Sequence, residues 1–260
     1  MTASGSGSEH GPGAGRTTDS HGVPWADREL SPAAYATDDG GADPAVLAAL
    51  AQVVRTPSSD TETELLQLVA RSRWLVPIVA VAVDTELRGG LRVEGRAEMA
   101  TPTLTAPDGR RALPVFSGVS TLVAWQSDAR PQPITAAAAA QAAIQDECDM
   151  MIIDLGADHA VVLRPSMVWA LAMARDWLPA HEDPVVAAGI AAAVADEPQV
   201  LGHALGDGVP PASGVLRVTL TLAAGLTAAD VELLATRAGE RIARDGELRA
   251  RIDGLAFTIR

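Results

Sequence analysis

Three carboxylates, Asp38, Asp39 and Asp43, stand within six residues around Gly40 and Gly41. Hard cations such as Mg²⁺ or Ca²⁺ take oxygen ligands on a turning backbone, so this cluster is the candidate metal-ligating set. Its spacing does not fit a calcium-binding EF-hand loop, and no Glu lies at the required offset. Helix capping by Asp43 ahead of Pro44, with Asp38 and Asp39 in a solvated turn, accounts for the same residues without a metal, and no metal site is assigned.

The candidate nucleophiles are Ser117, Ser120 and Cys148. Ser117-Gly-Val-Ser120 places one Gly between two Ser and none after the second, so the sharp strand-to-helix elbow of a serine hydrolase is missing and Ser117 reads as a helix N-cap. Cys148 lies between Glu147 and Asp149, whose charges disfavour the thiolate. As the single cysteine, it can form neither an intramolecular disulfide nor a multi-cysteine zinc site. The five histidines, at positions 10, 21, 159, 181 and 203, include no pair at i, i+4 and no His-Glu-x-x-His. Asp154 and Asp158 could form a carboxylate pair, although they flank a turn that needs polar residues anyway. Gly206-Asp-Gly208 precedes no phosphate-binding helix. No catalytic residue and no cofactor site is assigned.

Two features point to a partner instead. Arg237, Arg241 and Arg244 recur at i, i+4 and i+7, a stripe fit for an acidic partner or a phosphate, although Glu232 and Glu240 can compensate it. Trp25 borders a polar tail and is the aromatic singled out for partner contact. Three further tryptophans, Trp125, Trp169 and Trp177, read as large knobs filling a core of Ala, Val and Leu.

All twenty cationic side chains are Arg; the chain has no Lys and no Asn. That excludes Schiff-base chemistry, the phosphate-loop Lys and N-glycosylation, and it also fits a GC-rich coding bias. The net charge of −13 divides into −1 over residues 1–24, −8 over 25–180 and −4 over 181–260, which argues against nucleic acid as partner. The N-terminus lacks a charged start followed by an apolar stretch, and the longest apolar run, Trp74 to Val83, is too short for a bilayer. The expectation is a cytoplasmic protein that does not engage a membrane.

The elements that would position these residues can be placed from spacing. The length of 260 residues suggests two packed units and a tail. Residues 1–24, rich in Gly, Ser, Thr and His, form the expected disordered tail. Within residues 25–180, helices are expected over Pro44 to Val54 and from Ser58 to near Ser72. A buried strand comes next, from Trp74 to Val83, in which Pro77 marks a bulge or an edge. Met99 to Thr105 and Arg111 to Phe116 form a hairpin about Pro107-Asp-Gly109. A short helix after Gly118, a poly-Ala helix capped by Thr135, strands Met150 to Leu155 and Ala160 to Leu163, and a helix from Pro165 to Trp177 complete the unit. After a join near 179–184, residues 184–260 read as αββαβ, a layer of helices on a mostly antiparallel sheet. The fold class is α+β, two small mixed α/β sandwiches with mainly antiparallel or mixed sheets.

Gly22-Val-Pro-Trp-Ala-Asp-Arg28, Tyr35-Ala-Thr-Asp-Asp-Gly-Gly-Ala-Asp-Pro44, the strand from Trp74, Ala97-Glu-Met-Ala100 and Pro107-Asp-Gly-Arg-Arg-Ala-Leu-Pro-Val-Phe116 together resemble the bacterial SseB (enhanced serine sensitivity) family in its actinobacterial form. The resemblance covers most of residues 22–178, and the last 60 to 80 residues are similar to the family's C-terminal domain in element order. It implies no catalytic residue and no cofactor. Two function classes stay open: a non-enzymatic protein-interaction or adaptor module with a protein partner, and a regulator binding a small amino-acid-related molecule or an uncharacterised enzyme.

Overall fold

The computed structural model describes residues 35, 37–82, 87, 88, 91, 92 and 97–260. The expected tail over residues 1–24 and Trp25 lie outside them.

Asp43 and Ser58 accept backbone hydrogen bonds at the starts of α1 (Pro44–Arg55) and α2 (Ser59–Arg71), and Thr61 closes a capping box on Ser58. Their apolar stripes, Val46, Leu50 and Val53 on one and Leu65, Leu66 and Val69 on the other, face one core. β1 (Arg73–Ala82) then changes neighbours along its length. Its first half pairs antiparallel with β7 (Arg130–Thr135), its second half with β4 (Ala97–Ala100), and β2 (Leu87–Arg88) and β3 (Leu91–Arg92) form a small hairpin between. Pro77, which cannot donate to a ladder, sits opposite Pro131 next to this change of partner.

The expected hairpin divides. The Met99 end of the expected strand belongs to β4 on β1, and only β5 (Leu104–Thr105) pairs with β6 (Arg111–Val115). The turn closes through Gly109 N donating to the Ala106 carbonyl at 2.9 Å. α3 (Val119–Trp125), β7 and α4 (Ala136–Gln145) carry the chain over to β8 (Met150–Ile153), parallel to β6, and β9 (Val161–Leu163) completes the sheet in the order β5-β6-β8-β9. β7 is a strand that the sequence does not suggest, because Arg-Pro-Gln-Pro-Ile-Thr reads as a breaker; its outer edge position tolerates both prolines. Four alanines of α4 pack against this sheet with no exposed surface, a close approach that larger side chains would prevent. α5 (Pro165–Ala172) stops five residues before the expected Trp177, as Ala174 turns to φ +50°.

Asp183 caps α6 (Pro184–Val194), which leads into β10 (Val200–Asp207) and β11 (Val215–Leu222), antiparallel to each other. After α7 (Ala228–Arg244) a short helix not expected from sequence, α8 (Gly246–Arg251), precedes β12 (Gly254–Ile259), which joins β11 in parallel. The three helices cover one face of this sheet. Val186, Ile190, Leu234, Ala238, Ile242 and Leu248 meet Leu216, Val218 and Leu220 in a hydrophobic cluster of their own. The class is α+β with mixed open sheets, and no helix among the described residues is long and apolar enough to cross a membrane.

Candidate functional site

The carboxyl ends of neighbouring parallel strands are where open α/β sheets place ligands. Here those ends belong to β6 and β8; β6 runs out into Phe116-Ser117-Gly118, and β8 into Asp154-Leu-Gly-Ala-Asp-His159. Asp154 N donates to the Val115 carbonyl at 2.9 Å, extending the parallel ladder by one step, and the residue then enters the left-handed region at φ +50°. That turn aims its side chain inward, where it has no solvent exposure.

Four protein groups meet this carboxylate. Ser117 N and the Thr121 hydroxyl lie 2.8 and 2.9 Å from Oδ1, while the Ser117 hydroxyl and His159 Nε2 lie 2.6 and 3.1 Å from Oδ2. A buried carboxylate is tolerated only when its oxygens are paired in this way. Ser117 therefore spends its hydroxyl across the sheet instead of capping α3, whose N-cap is Gly118 with no side-chain bond. The order of the three groups decides what they can do. In an activated serine the imidazole stands between hydroxyl and carboxylate so that it can take the proton. Here the carboxylate stands between Ser117 and His159, an arrangement that fixes two loops together.

Residues 39–43 strap over the same end of β6. Val119 N donates to the Gly40 carbonyl at 2.8 Å, and the Arg73 guanidinium ties the strap to the strand end, 2.7 Å from the Gly41 carbonyl and 2.8 Å from that of Ser117. The approach is close enough that a Cβ on Gly118 would stand 2.9 Å from Ala42 N. Within the strap, Asp39 accepts from Gly41 N and Asp43 caps α1 through Ala45 N, each at 2.8 Å. Asp38 N donates to the Tyr35 carbonyl at 3.1 Å. Among the described residues no three His, Cys, Asp or Glu side chains gather closely enough to hold a metal ion.

A second polar centre joins the layer of α2 and α5 to that of α8 and β12. Arg164, just ahead of α5, reaches both carboxylate oxygens of Glu62 on α2, the Nη2 bond measuring 2.9 Å, while its Nε donates to Asp253 at 3.0 Å and its Nη1 to the Ala212 carbonyl at 3.1 Å. Asp253 also accepts from Ser166 N and Oγ at 2.7 and 2.8 Å, and Trp177 Nε1 donates to Ser166 Oγ at 3.0 Å. Burial opposes the Arg164 charge, but the hydrogen bonds and charges of Glu62 and Asp253 outweigh it and hold the guanidinium pKa above its usual value. Gly214 lies against it, in left-handed conformation, where a Cβ would fall 2.6 Å from Nε. Beside this centre two cations approach the Trp169 ring, Arg251 at 5.0 Å and Arg175 at 5.4 Å from its centre. Arg251 donates to Asp183 at 2.6 Å and to Glu247 at 2.8 Å, and Arg175 reaches Glu247 at 3.3 Å. Trp169 and Trp177 are thus partly exposed at the junction, although Trp177 also packs against the core around α1, α2, α4 and α5 as Trp125 packs against the cluster around Phe116, whereas Trp74 is one per cent exposed.

The arginine stripe of α7 turns two of its members inward. Arg237 grips buried Glu197 through Nε and Nη2 at 3.1 and 2.6 Å, and Arg241 Nη1 lies 2.9 Å from the same carboxylate and 2.8 Å from the Ala193 carbonyl. Arg244 pairs with Glu240 at 3.2 Å on the exposed flank. Glu197 gives no signal in sequence, since its partners stand 40 and 44 positions away. The hydrogen bond from Arg237, then that from Arg241, holds its carboxyl pKa below the ordinary 4.5 against the cost of burial. A lowered folded pKa means that the stability it contributes is complete above pH 4.5 and fades as the pH falls below it. Glu197→Gln is expected to lower the unfolding free energy by about 1–3 kcal/mol at neutral pH and to flatten the acid limb of stability, both read by urea titration across pH.

A family model, the SseB protein N-terminal domain, matches residues 46–170. The chain belongs to the SseB family. The matched stretch runs from α1 to α5 and holds β6, β8, Ser117, Asp154 and His159, so the Asp154 node lies wholly inside the SseB domain, while Asp253 and Glu197 lie outside the match. No curated protein and no solved structure matches the chain.

Proposed function

We propose that this SseB-family protein is a non-enzymatic cytoplasmic interaction module, an adaptor whose partner is another protein. The observation that carries this reading is the closure of the Asp154 node. The Ser117, Thr121 and His159 side chains gathered where a ligand would sit all bond the single buried carboxylate of Asp154, so their chemistry is directed at holding two loops together. Large apolar side chains instead meet solvent elsewhere, Val209 at 82%, Leu201 at 70% and Leu233 at 59% exposure. Arg244, 77% exposed along its side chain, and Trp25 remain candidate partner contacts, with Arg237 and Arg241 on the same helix face as Arg244. The residues from 184 onward act in this reading as a second domain. Affinity purification from the native host is expected to recover a stoichiometric protein partner; repeated recovery of the chain alone overturns the reading.

One observation favours the alternative, a regulator that binds a small amino-acid-related molecule. A groove of about 140 Å³ is lined by Gln199, Leu226, Asp230, Leu233, Leu234 and Arg237, and the amide oxygen of Gln199 is buried without a hydrogen-bond partner. A rise in Tm with free amino acids, lost in Gln199→Leu, would support it.

A further inference from the structure

The junction between α5 and α8 has the composition of a contact that opens. The two sides keep separate hydrophobic clusters, one around α1, α2, α4 and α5 and one around α6, α7 and α8. What spans them is largely polar: Asp253 on Arg164 and Ser166, Glu247 on Arg175, and Arg251 over Trp169. Interfaces of this polarity inside one chain resemble transient protein–protein contacts. The surface beneath is also distinctive. Arg164, Trp169, Arg175 and Trp177 lie within fourteen residues of one another in sequence, around α5 and the segment after it, and Arg and Trp are the residue types that dominate binding energy at interfaces.

We infer that the chain from Asp183 onward is a removable cover over this Arg–Trp surface, and that a partner's acidic segment takes the places that Asp253 and Glu247 hold in the closed state. The geometry assigns each carboxylate a counterpart. Asp253 satisfies the Nε edge of Arg164, whose other edge is occupied by Glu62 on its own side of the junction, and Glu247 satisfies the outward Arg175. When the cover leaves, Glu62 stays with Arg164, so the uncovered surface retains one free guanidinium edge, one free guanidinium and two indole faces. A flexible acidic peptide with carboxylates at both positions fits it, since planar guanidinium forks select carboxylates and the indoles accept its apolar stems. A basic or purely apolar segment leaves the Nε edge of Arg164 and the whole of Arg175 without a carboxylate.

This inference rests on the interaction-module reading but is tested apart from it. In the full chain, Asp253→Ala with Glu247→Ala is expected to raise the radius of gyration in small-angle scattering. The same variant is expected to bind a fluorescein-labelled twelve-residue Asp/Glu/Gly peptide at least tenfold more tightly than wild type by anisotropy, with the gain removed by adding Arg175→Ala. Glu247→Ala alone, at a half-exposed site that does not endanger folding, is expected to give part of the gain. Unchanged peptide affinity in both variants overturns the inference, as does a gain that Arg175→Ala leaves intact or an opening without peptide binding. Recovery of a protein partner by wild type in the host purification would leave the adaptor reading standing in each of those cases.

Discussion

Arg164→Met is expected to lower the unfolding free energy by about 3–5 kcal/mol, measured by urea denaturation. The size reflects the charges left behind. Glu62 and Asp253 are both nearly removed from solvent, with side-chain exposures of 9% and 10%, and Met can neutralise neither. Their combined desolvation far exceeds the loss of a surface ion pair, which typically costs under about 1 kcal/mol. Two controls separate the charge effect from lost packing. Glu62→Leu added to Arg164→Met is expected to recover a good part of the loss, because a buried ion pair exchanged for apolar side chains of similar size is often near neutral. Arg175→Ala, on the half-exposed pair with Glu247, should cost less than about 1 kcal/mol. A loss below about 1 kcal/mol for Arg164→Met would show that the two carboxylates find solvent without it, and the junction would then not be held by this residue.

Asp154→Ala is expected to cost about 3–4 kcal/mol by the same measurement. It strands the Ser117 amide and hydroxyl in a buried place and leaves Thr121 and His159 without their acceptor. It also removes a short polar side chain from a left-handed backbone position where Ala is disfavoured. Asp154→Asn separates the contributions. Asn suits φ +50° and keeps one acceptor oxygen, so it should lose roughly half as much, with the remainder assigned to the second oxygen and the charge. Amide hydrogen exchange at Ser117 and Val119 should accelerate in Asp154→Ala before exchange in β1 changes, since the node fixes the loop over the sheet end and not the strand that begins at Arg73.

How much of this is legible in the sequence depends on distance along it. Capping by Asp43, Ser58, Thr135 and Asp183 can be read directly, because each side chain bonds a backbone amide two or three residues away. The strands β6 and β8 and the alternation of β11 are legible for the same local reason. β7 is hidden by its prolines, which propensity treats as breakers and an edge position accepts. The Met99 to Thr105 strand reads as one piece because nothing local shows that β1 claims its first half. Ser117 reads as an N-cap for want of any sign that an aspartate 37 positions later competes for its hydroxyl. Likewise the Arg237 and Arg241 stripe is visible as a pattern, while its occupant Glu197 is not.

By itself the sequence determined the α+β class, the resemblance that places the chain among SseB proteins, the absence of lysine chemistry and the positions of most helix starts. All of these are composition or local-spacing properties, and the helix starts in particular rest on hydrogen bonds within one helical turn. Only the tertiary structure decided which polar residues meet. Asp154 with Ser117 and His159, Arg164 with Glu62 and Asp253, and Arg237 with Glu197 are brought together across 5 to 102 positions. The physical reason is the cost of burial: a charged group taken from water must find partners wherever the packed chain supplies them, and the distance along the sequence does not enter that requirement.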